Sequence, residues 1–529
     1  MSRFRMPAFA LLPIVGLALA AAAPAPAVAQ PGVKGEWSPK FTTPNVMIHA
    51  SVLPNGKVLF WSRREVGEGL DPKVCTPRIW DPAGTGAGAF SETANKPGYN
   101  LFCGSQTFLE DGRLFVAGGH RGADQAGEPH ATIYNPMDNT WTPLGKMPDM
   151  TGGRWYPTAI TLPDGGVLVS FGTDELKHPN KTSQVWRDGV GWRDLSTASF
   201  DHAPYYPTMH VVSDGRVFMS GPPKLTQFLN TSGTGNWTPL PNSNRDGNDA
   251  KDYAPSVLYT ETPDDVGKIL YIGGGNGPTN AVELLDLNVL PLKWNNNIAP
   301  MNFARRQHNA TLLPDGTVVV MGGTQGDGFN NVTDGSPIRS AELWNPKTRT
   351  WTKLAKAAVD RCYHSTAVLL PDATVLSAGG GEFRPNPGEP FQHSIDGNHR
   401  ENLDRDTHKD AQIFSPPYLF LANGMRAPRP VITKAPVEVK YGDNFPVETA
   451  QPDQVGKVNW IRLSSVTHSF NTNQRINVLK FATDATATTP TLKVTAPANS
   501  NLCPPGHYML FVLNKAGVPS VAKVIRIHP

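Results

Sequence analysis

Cysteine is scarce in this chain: four residues in 529, Cys75, Cys103, Cys362 and Cys503, with no CxxC spacing. That excludes a zinc ribbon, a dithiol redox centre and a disulfide-dense scaffold. Charge is also sparse, at 18% of residues with a formal net of +3, and a cleaved leader carrying Arg3 and Arg5 lowers the net by two, to +1. Such a balance speaks against nucleic-acid binding. There is no Gly-x-Ser-x-Gly elbow and no HExxH helix, so the usual signatures of a hydrolase are missing.

One long apolar run occurs, and it lies at the N-terminus, MSRFRMPAFALLPIVGLALAAAAPAPAVAQ. Two arginines, an apolar stretch broken by Pro13 and an Ala27-Val28-Ala29 cleavage signal predict a signal peptide over 1–29 rather than a membrane anchor. The protein is expected to be exported, to a periplasm or the extracellular space, without stable membrane insertion.

Glycine and proline are plentiful, 50 of each, and there are 12 tryptophans. This favours many short strands joined by tight turns, an all-β class. Seven segments share one pattern: LPNGKVLFW, LEDGRLFVAGG, LPDGGVLVSFG, VSDGRVFMSG, DDVGKILYIGGG, LPDGTVVVMGG and LPDATVLSAGG. Asp-Gly between apolar strands marks a hairpin turn, because the turn requires positive φ.

The turn positions, Gly56, Gly112, Gly165, Gly215, Gly267, Gly316 and Ala373, are spaced by 49 to 57 residues. A period near 50 matches the kelch repeat, four strands per propeller blade. The reading is a seven-bladed kelch-type β-propeller over 30–429. The repeat then stops, and the alternating strands of 430–529 predict a small β-sandwich.

Equivalent positions of different blades converge on the propeller axis. Nine residues before each turn stand Met47, Cys103, Tyr156, Tyr206, Gln307 and His364. The fifth blade does not align. Tyr363 adjoins His364, and both can reach an axial site where strand alternation relaxes. Imidazole and phenolate suit a cupric ion, whereas structural zinc recruits more cysteine.

FCGSQ around Cys103, GGRWYPTA around Tyr156, RCYHSTAVLLPD around Tyr363 and His364, and THSFNTNQR around His468 resemble the site motifs of the copper radical oxidases, the galactose oxidase and glyoxal oxidase family. The resemblance covers almost all of the mature chain. It implies Cu(II) held by Tyr156, Tyr363, His364 and His468, and a thioether joining Cys103 to Tyr156 whose ring carries a radical. Tyr363 is then the catalytic base, and a primary alcohol or aldehyde, small or glycan-borne, is oxidised by O2 with formation of hydrogen peroxide. The resemblance also implies that 430–529 is an immunoglobulin-like (early-set) β-sandwich, and His468 is expected from this second domain. The pairing of Cys75, Cys362 and Cys503 stays open.

Against the galactose oxidase pattern the chain is expected to be without an N-terminal carbohydrate-binding domain, because the propeller pattern starts soon after the leader, and to be more like the shorter glyoxal oxidases. Where that pattern has a tryptophan over the thioether, SFGTDELKH places Asp174. Trp155, as the strand neighbour of Tyr156, is expected to point away. Tyr206 and Gln307 are candidate substrate contacts. The competing reading is a non-catalytic kelch protein that binds a glycan or protein partner.

Overall fold

The computed structural model describes residues 1, 31–63, 75–201, 204–240, 252–328, 330–382 and 407–529, so the leader lies outside the described residues. No helix among them is long and apolar enough to cross a membrane. Seven sheets carry the repeat. Five are plain four-stranded antiparallel sheets covering residues 105–141, 158–194, 208–239, 256–295 and 306–356.

Each turn predicted from the repeat has the backbone it needs. Gly56, Gly112, Gly165, Gly215, Gly267 and Gly316 lie at φ between 78° and 121°, and Ala373 holds the same position at φ 68°. The leading aspartate caps the turn: in the sixth blade Asp315 Oδ1 accepts the Thr317 N–H at 3.0 Å.

The ring closes with residues from the far end of the repeat. The strands Glu36–Trp37 and Phe41–Thr42 pair with Asp410–Ser415, so the N-terminus supplies the outer edge of the last blade. Tryptophans of the outer strands stitch successive blades together. Trp37 Nε1 donates to the Ala355 carbonyl, Trp192 to Pro148, Trp237 to Ala198 and Trp351 to Ala299. Each indole thereby half-buries its ring and satisfies its N–H.

The first blade is different. Its inner strand His49–Val52 pairs not only with Val58–Trp61 but also with Ser465–Thr467 from the C-terminal region, in the register His49 to Thr467 and Ser51 to Ser465. That strand and Phe470–Asn471 form a hairpin whose two-residue loop is His468-Ser469, at φ 46° and 71°, the pair of positive values a tight hairpin of this kind demands. The rest of the C-terminal region forms two sheets, of four and five strands, over a separate apolar core that includes Trp460, Phe445 and Ile525.

A buried arginine recurs at the entrance to three inner strands. Arg154 donates to the Phe171 carbonyl and Gln184, Arg305 to the Gly322 carbonyl and Glu342, and Arg361 to the Gly379 carbonyl and Asp410. Each clamp fixes the loop two residues before an axial side chain, Tyr156, Gln307 or Tyr363. The Gly-Gly strand ends serve the same loops. A Cβ on Gly118 would stand 2.2 Å from the Arg154 carbonyl oxygen, and one on Gly322 2.1 Å from that of Arg361.

Arg305 and Glu342 are both fully buried, with a 2.9 Å contact. Arg305→Met leaves an uncompensated carboxylate, so the unfolding free energy is expected to drop by about 3 kcal/mol. Urea denaturation checks it, a lower midpoint at unchanged slope being the expected result.

Candidate metal centre

Six residues at one mouth of the channel share a left-handed backbone: Cys103, Tyr156, Tyr206, Tyr253, Gln307 and His364, at φ between 42° and 66°. Five of them were placed by the nine-residue register. The sixth, Tyr253, is the counterpart from the fifth blade and was hidden, because the turn between Ser256–Tyr259 and Lys268–Ile272 is lengthened. Backbone hydrogen bonds link neighbours around the ring, from Tyr156 N to Cys103 O at 2.8 Å, Tyr206 N to Tyr156 O at 2.9 Å and Gln307 N to Tyr253 O at 2.8 Å.

The reversed φ has a consequence for side-chain direction. It cancels strand alternation, so consecutive residues face the same side. Tyr363 and His364 therefore stack, with ring centroids 3.8 Å apart, and both enter the site. The same geometry overturns the expectation for Trp155. Its ring lies flat on Tyr156, at 3.7 Å and 8° between planes. Asp174 instead closes a local turn, accepting the Leu176 and His178 backbone N–H groups.

The hairpin loop carries His468 up the channel to meet these residues. Its ring centroid lies 4.7 Å from Tyr156, 4.7 Å from His364 and 5.5 Å from Tyr363. Asn473, Gln474 and Arg475 hold the following segment by hydrogen bonds to Thr107, Ala310 and Val211, on three different blades. The sequence motif around His468 is thus mostly an anchoring device. Cys103, Tyr156, Tyr363, His364 and His468 are each at most 4% exposed.

The phenol oxygens of Tyr156 and Tyr363 touch. Burial, then charge repulsion from Cys103 and Tyr253, raises both phenols well above the usual tyrosine pKa; Tyr363 adds to the rise at Tyr156, whereas the hydrogen bond with Tyr156 pulls Tyr363 the other way. His364 Nδ1 lies 2.6 Å from the Gly381 carbonyl, which can only accept, so Nδ1 is protonated and Nε2 bears the lone pair. His468 Nδ1 is engaged with Thr467 Oγ1 at 2.6 Å. Its Nε2 is buried without a hydrogen-bond partner.

These donors fit a copper(II) ion. Two imidazole nitrogens directed by outer hydrogen bonds and two buried phenols that ionise only beside a cation are a cupric set. Among the described residues no cluster of three or more His, Cys, Asp or Glu side chains could hold another metal.

Cys103 is fully buried beside Tyr156, in an apolar cluster with Trp155 and Phe102. Burial raises its thiol pKa well above the ordinary value, although hydrogen bonding to Tyr156 and Trp155 pulls the other way. Among the described residues no disulfide joins the four cysteines.

Tyr206 donates its hydroxyl to the Gly104 carbonyl at 2.8 Å and lays its ring on His468. Gln307 is 1% exposed, with neither amide atom hydrogen bonded. Sequence reasoning missed Arg63, a guanidinium 4% exposed and 5.4 Å from the Phe102 ring. Burial opposes its charge, but Asp124 and then Cys103, Tyr156 and Tyr363 raise its pKa.

Residues 429–527 match the model "Galactose oxidase-like, Early set domain", and 305–357 match the "Kelch motif" model. The chain is 29% identical to a galactose oxidase of Gibberella zeae over 525 residues, covering 94% of this chain and 71% of the relative. It is 28% identical to aldehyde oxidase GLOX of Vitis pseudoreticulata, covering 81% and 82%. A solved fungal alcohol oxidase of the AA5 family, in complex with copper, superposes with a TM-score of 0.77 at 26% identity, covering 94% of this chain and all of that one.

The propeller and the domain behind it are thus of the galactose oxidase-like class. Within that class the chain is similar to the copper radical oxidases, the galactose and glyoxal oxidases.

Proposed function

We propose that the protein is an exported oxidase that converts a primary alcohol to an aldehyde, or a hydrated aldehyde to an acid, with O2 reduced to hydrogen peroxide. The supporting observation is the meeting of Tyr156, Tyr363, His364 and His468 over the buried Cys103. A partner-binding propeller has no use for a touching pair of buried phenols between two imidazoles.

Tyr156, Tyr363, His364 and His468 would hold the metal, and Cu(II) would supply a one-electron acceptor. Tyr363 takes the hydroxyl proton of the substrate at Oη. Tyr156, joined to Cys103, accepts the hydrogen atom from the carbinol carbon and is the second one-electron centre. Gln307, with an unengaged buried amide, orients the substrate, and Tyr206 braces His468 and Tyr156. Trp155 covers the face of the Tyr156 ring and excludes water from it.

A peroxidase-coupled screen of primary alcohols and aldehydes tests the reading. Substrate-dependent peroxide from the copper-loaded protein supports it, and silence across both classes, with copper bound and the fold intact, ends it. The shield has its own test. Trp155→Ala is expected to shorten the lifetime of the oxidised protein's radical absorption roughly tenfold, the equivalent of a stacking energy of about 1.4 kcal/mol. Trp155→Phe, which keeps a stacked ring, should recover most of it.

A further inference from the structure

His49 belongs to no metal-ligand set, yet it joins the two halves of the centre. It is fully buried, stacked on Trp61 with centroids 4.7 Å apart, and sits opposite Thr467 of the inserted hairpin. Its ring nitrogens have defined duties, and they can be derived from one end of a chain of hydrogen bonds.

The chain starts at the Val466 carbonyl, two residues from His468. That oxygen can only accept, and Gln106 Nε2 donates to it at 3.1 Å. The orientation of the Gln106 amide follows, so Oε1 faces His49 Nδ1 at 3.0 Å. An amide oxygen accepts, so Nδ1 carries the imidazole proton and Nε2 the lone pair. Nε2 then receives the backbone N–H of Cys103 at 3.3 Å. Burial keeps the ring neutral, its pKa down to about 3 even though the Gln106 hydrogen bond raises it.

Cys103 needs this hold. Its φ of 62° is uncommon for a residue with a Cβ, and such strain persists only where surroundings over-determine it. Its carbonyl is fixed by the N–H of Tyr156, its cross-linking partner. His49 fixes the other side.

We infer, on the reading of a Cys103–Tyr156 thioether given above, that His49 is the positioning residue for that cross-link, and that Gln106 and Val466 make its formation depend on seating of the C-terminal hairpin. In the step a bond forms between Cys103 Sγ and the Tyr156 ring carbon beside the hydroxyl. The S–H and ring C–H bonds break, and the two electrons and two protons released reduce O2 to hydrogen peroxide.

The test uses full-length protein prepared copper-free, then given Cu(II) and O2, with intact mass followed in time under denaturing, reducing conditions. Wild type should lose about two mass units as two hydrogens leave. His49→Phe, which keeps the ring on Trp61 but cannot accept a hydrogen bond, should cross-link at least tenfold more slowly at unchanged copper stoichiometry. His49→Gln, whose amide oxygen can accept the Cys103 N–H, should restore most of the rate. Gln106→Met, leaving His49 in place with its tautomer unassigned, should be slow as well, and it decides the matter should His49→Phe fail to fold.

Wild-type rates in His49→Phe or Gln106→Met, or no rescue by His49→Gln, overturn the inference while leaving the oxidase reading intact. A wild-type protein that never loses the two mass units removes the thioether reading itself, and this inference with it.

Discussion

A Cys103→Ser protein, loaded with copper and exposed to oxygen, is expected to bind the metal in near wild-type amount, to show no loss of two mass units, and to turn over on the order of 10³-fold more slowly. The binding expectation follows from the donor set, since Cys103 lies beside Tyr156 and the fitted ligands are two phenols and two imidazoles. The rate expectation follows from electronics. Sulfur attached beside the phenol oxygen spreads the unpaired electron, and its removal makes the ring harder to oxidise, at a barrier cost of about 4 kcal/mol. Serine is close in size, so packing of the fully buried site is little disturbed. Copper titration, intact mass and peroxide turnover read the three expectations separately. Unchanged turnover would remove the cross-linked ring from the reaction.

The second large effect is expected at His468. Deleting the C-terminal domain would be ambiguous, because it also strips a strand from the first blade. His468→Asn is cleaner. Asparagine tolerates the left-handed backbone of this turn position, φ 46°, better than alanine does. The hairpin should remain seated while one imidazole is lost. Copper affinity is expected to fall by more than the roughly ten- to hundredfold typical of losing an outer-sphere partner. The cupric spectrum should lose the coupling of one nitrogen. Retained affinity with both nitrogen couplings would mean that His468 is no ligand.

The repeat was legible because its turn has a strict backbone requirement: positive φ forces Asp-Gly or its kin, and the spacing from turn to left-handed mouth residue is constant in five of the six blades that carry one. That constancy placed Cys103, Tyr156 and His364 in one plane although 261 positions separate the first from the last. Tyr253 escaped because five extra residues precede its turn. Trp155 was misread because alternation was assumed to hold at Tyr156, although the argument for Tyr363 and His364 had already set it aside. The arginine clamps could have been seen, since Arg154, Arg305 and Arg361 each stand two residues before an axial side chain. Their partners lie on later strands, beyond any local pattern. The closing strands at 36–37 and 41–42 are two residues long each, too short to carry a period.

The hairpin that completes the first blade also sets the order of events in the life of the molecule. The residues that pair with His49–Val52 are made more than 400 positions later. A chain emerging from the ribosome thus carries an unfinished first blade and an empty channel until the hairpin at 465–471, within its last 65 residues, appears. Tyr156, Tyr363 and His364 can be in place by then, but the fourth donor and the Val466 carbonyl that orients Gln106 cannot. On the proposed ligand set and cross-link, copper capture and oxidation of the thiol are late events, timed by the C-terminus, and a truncated chain is spared a half-built oxidising centre.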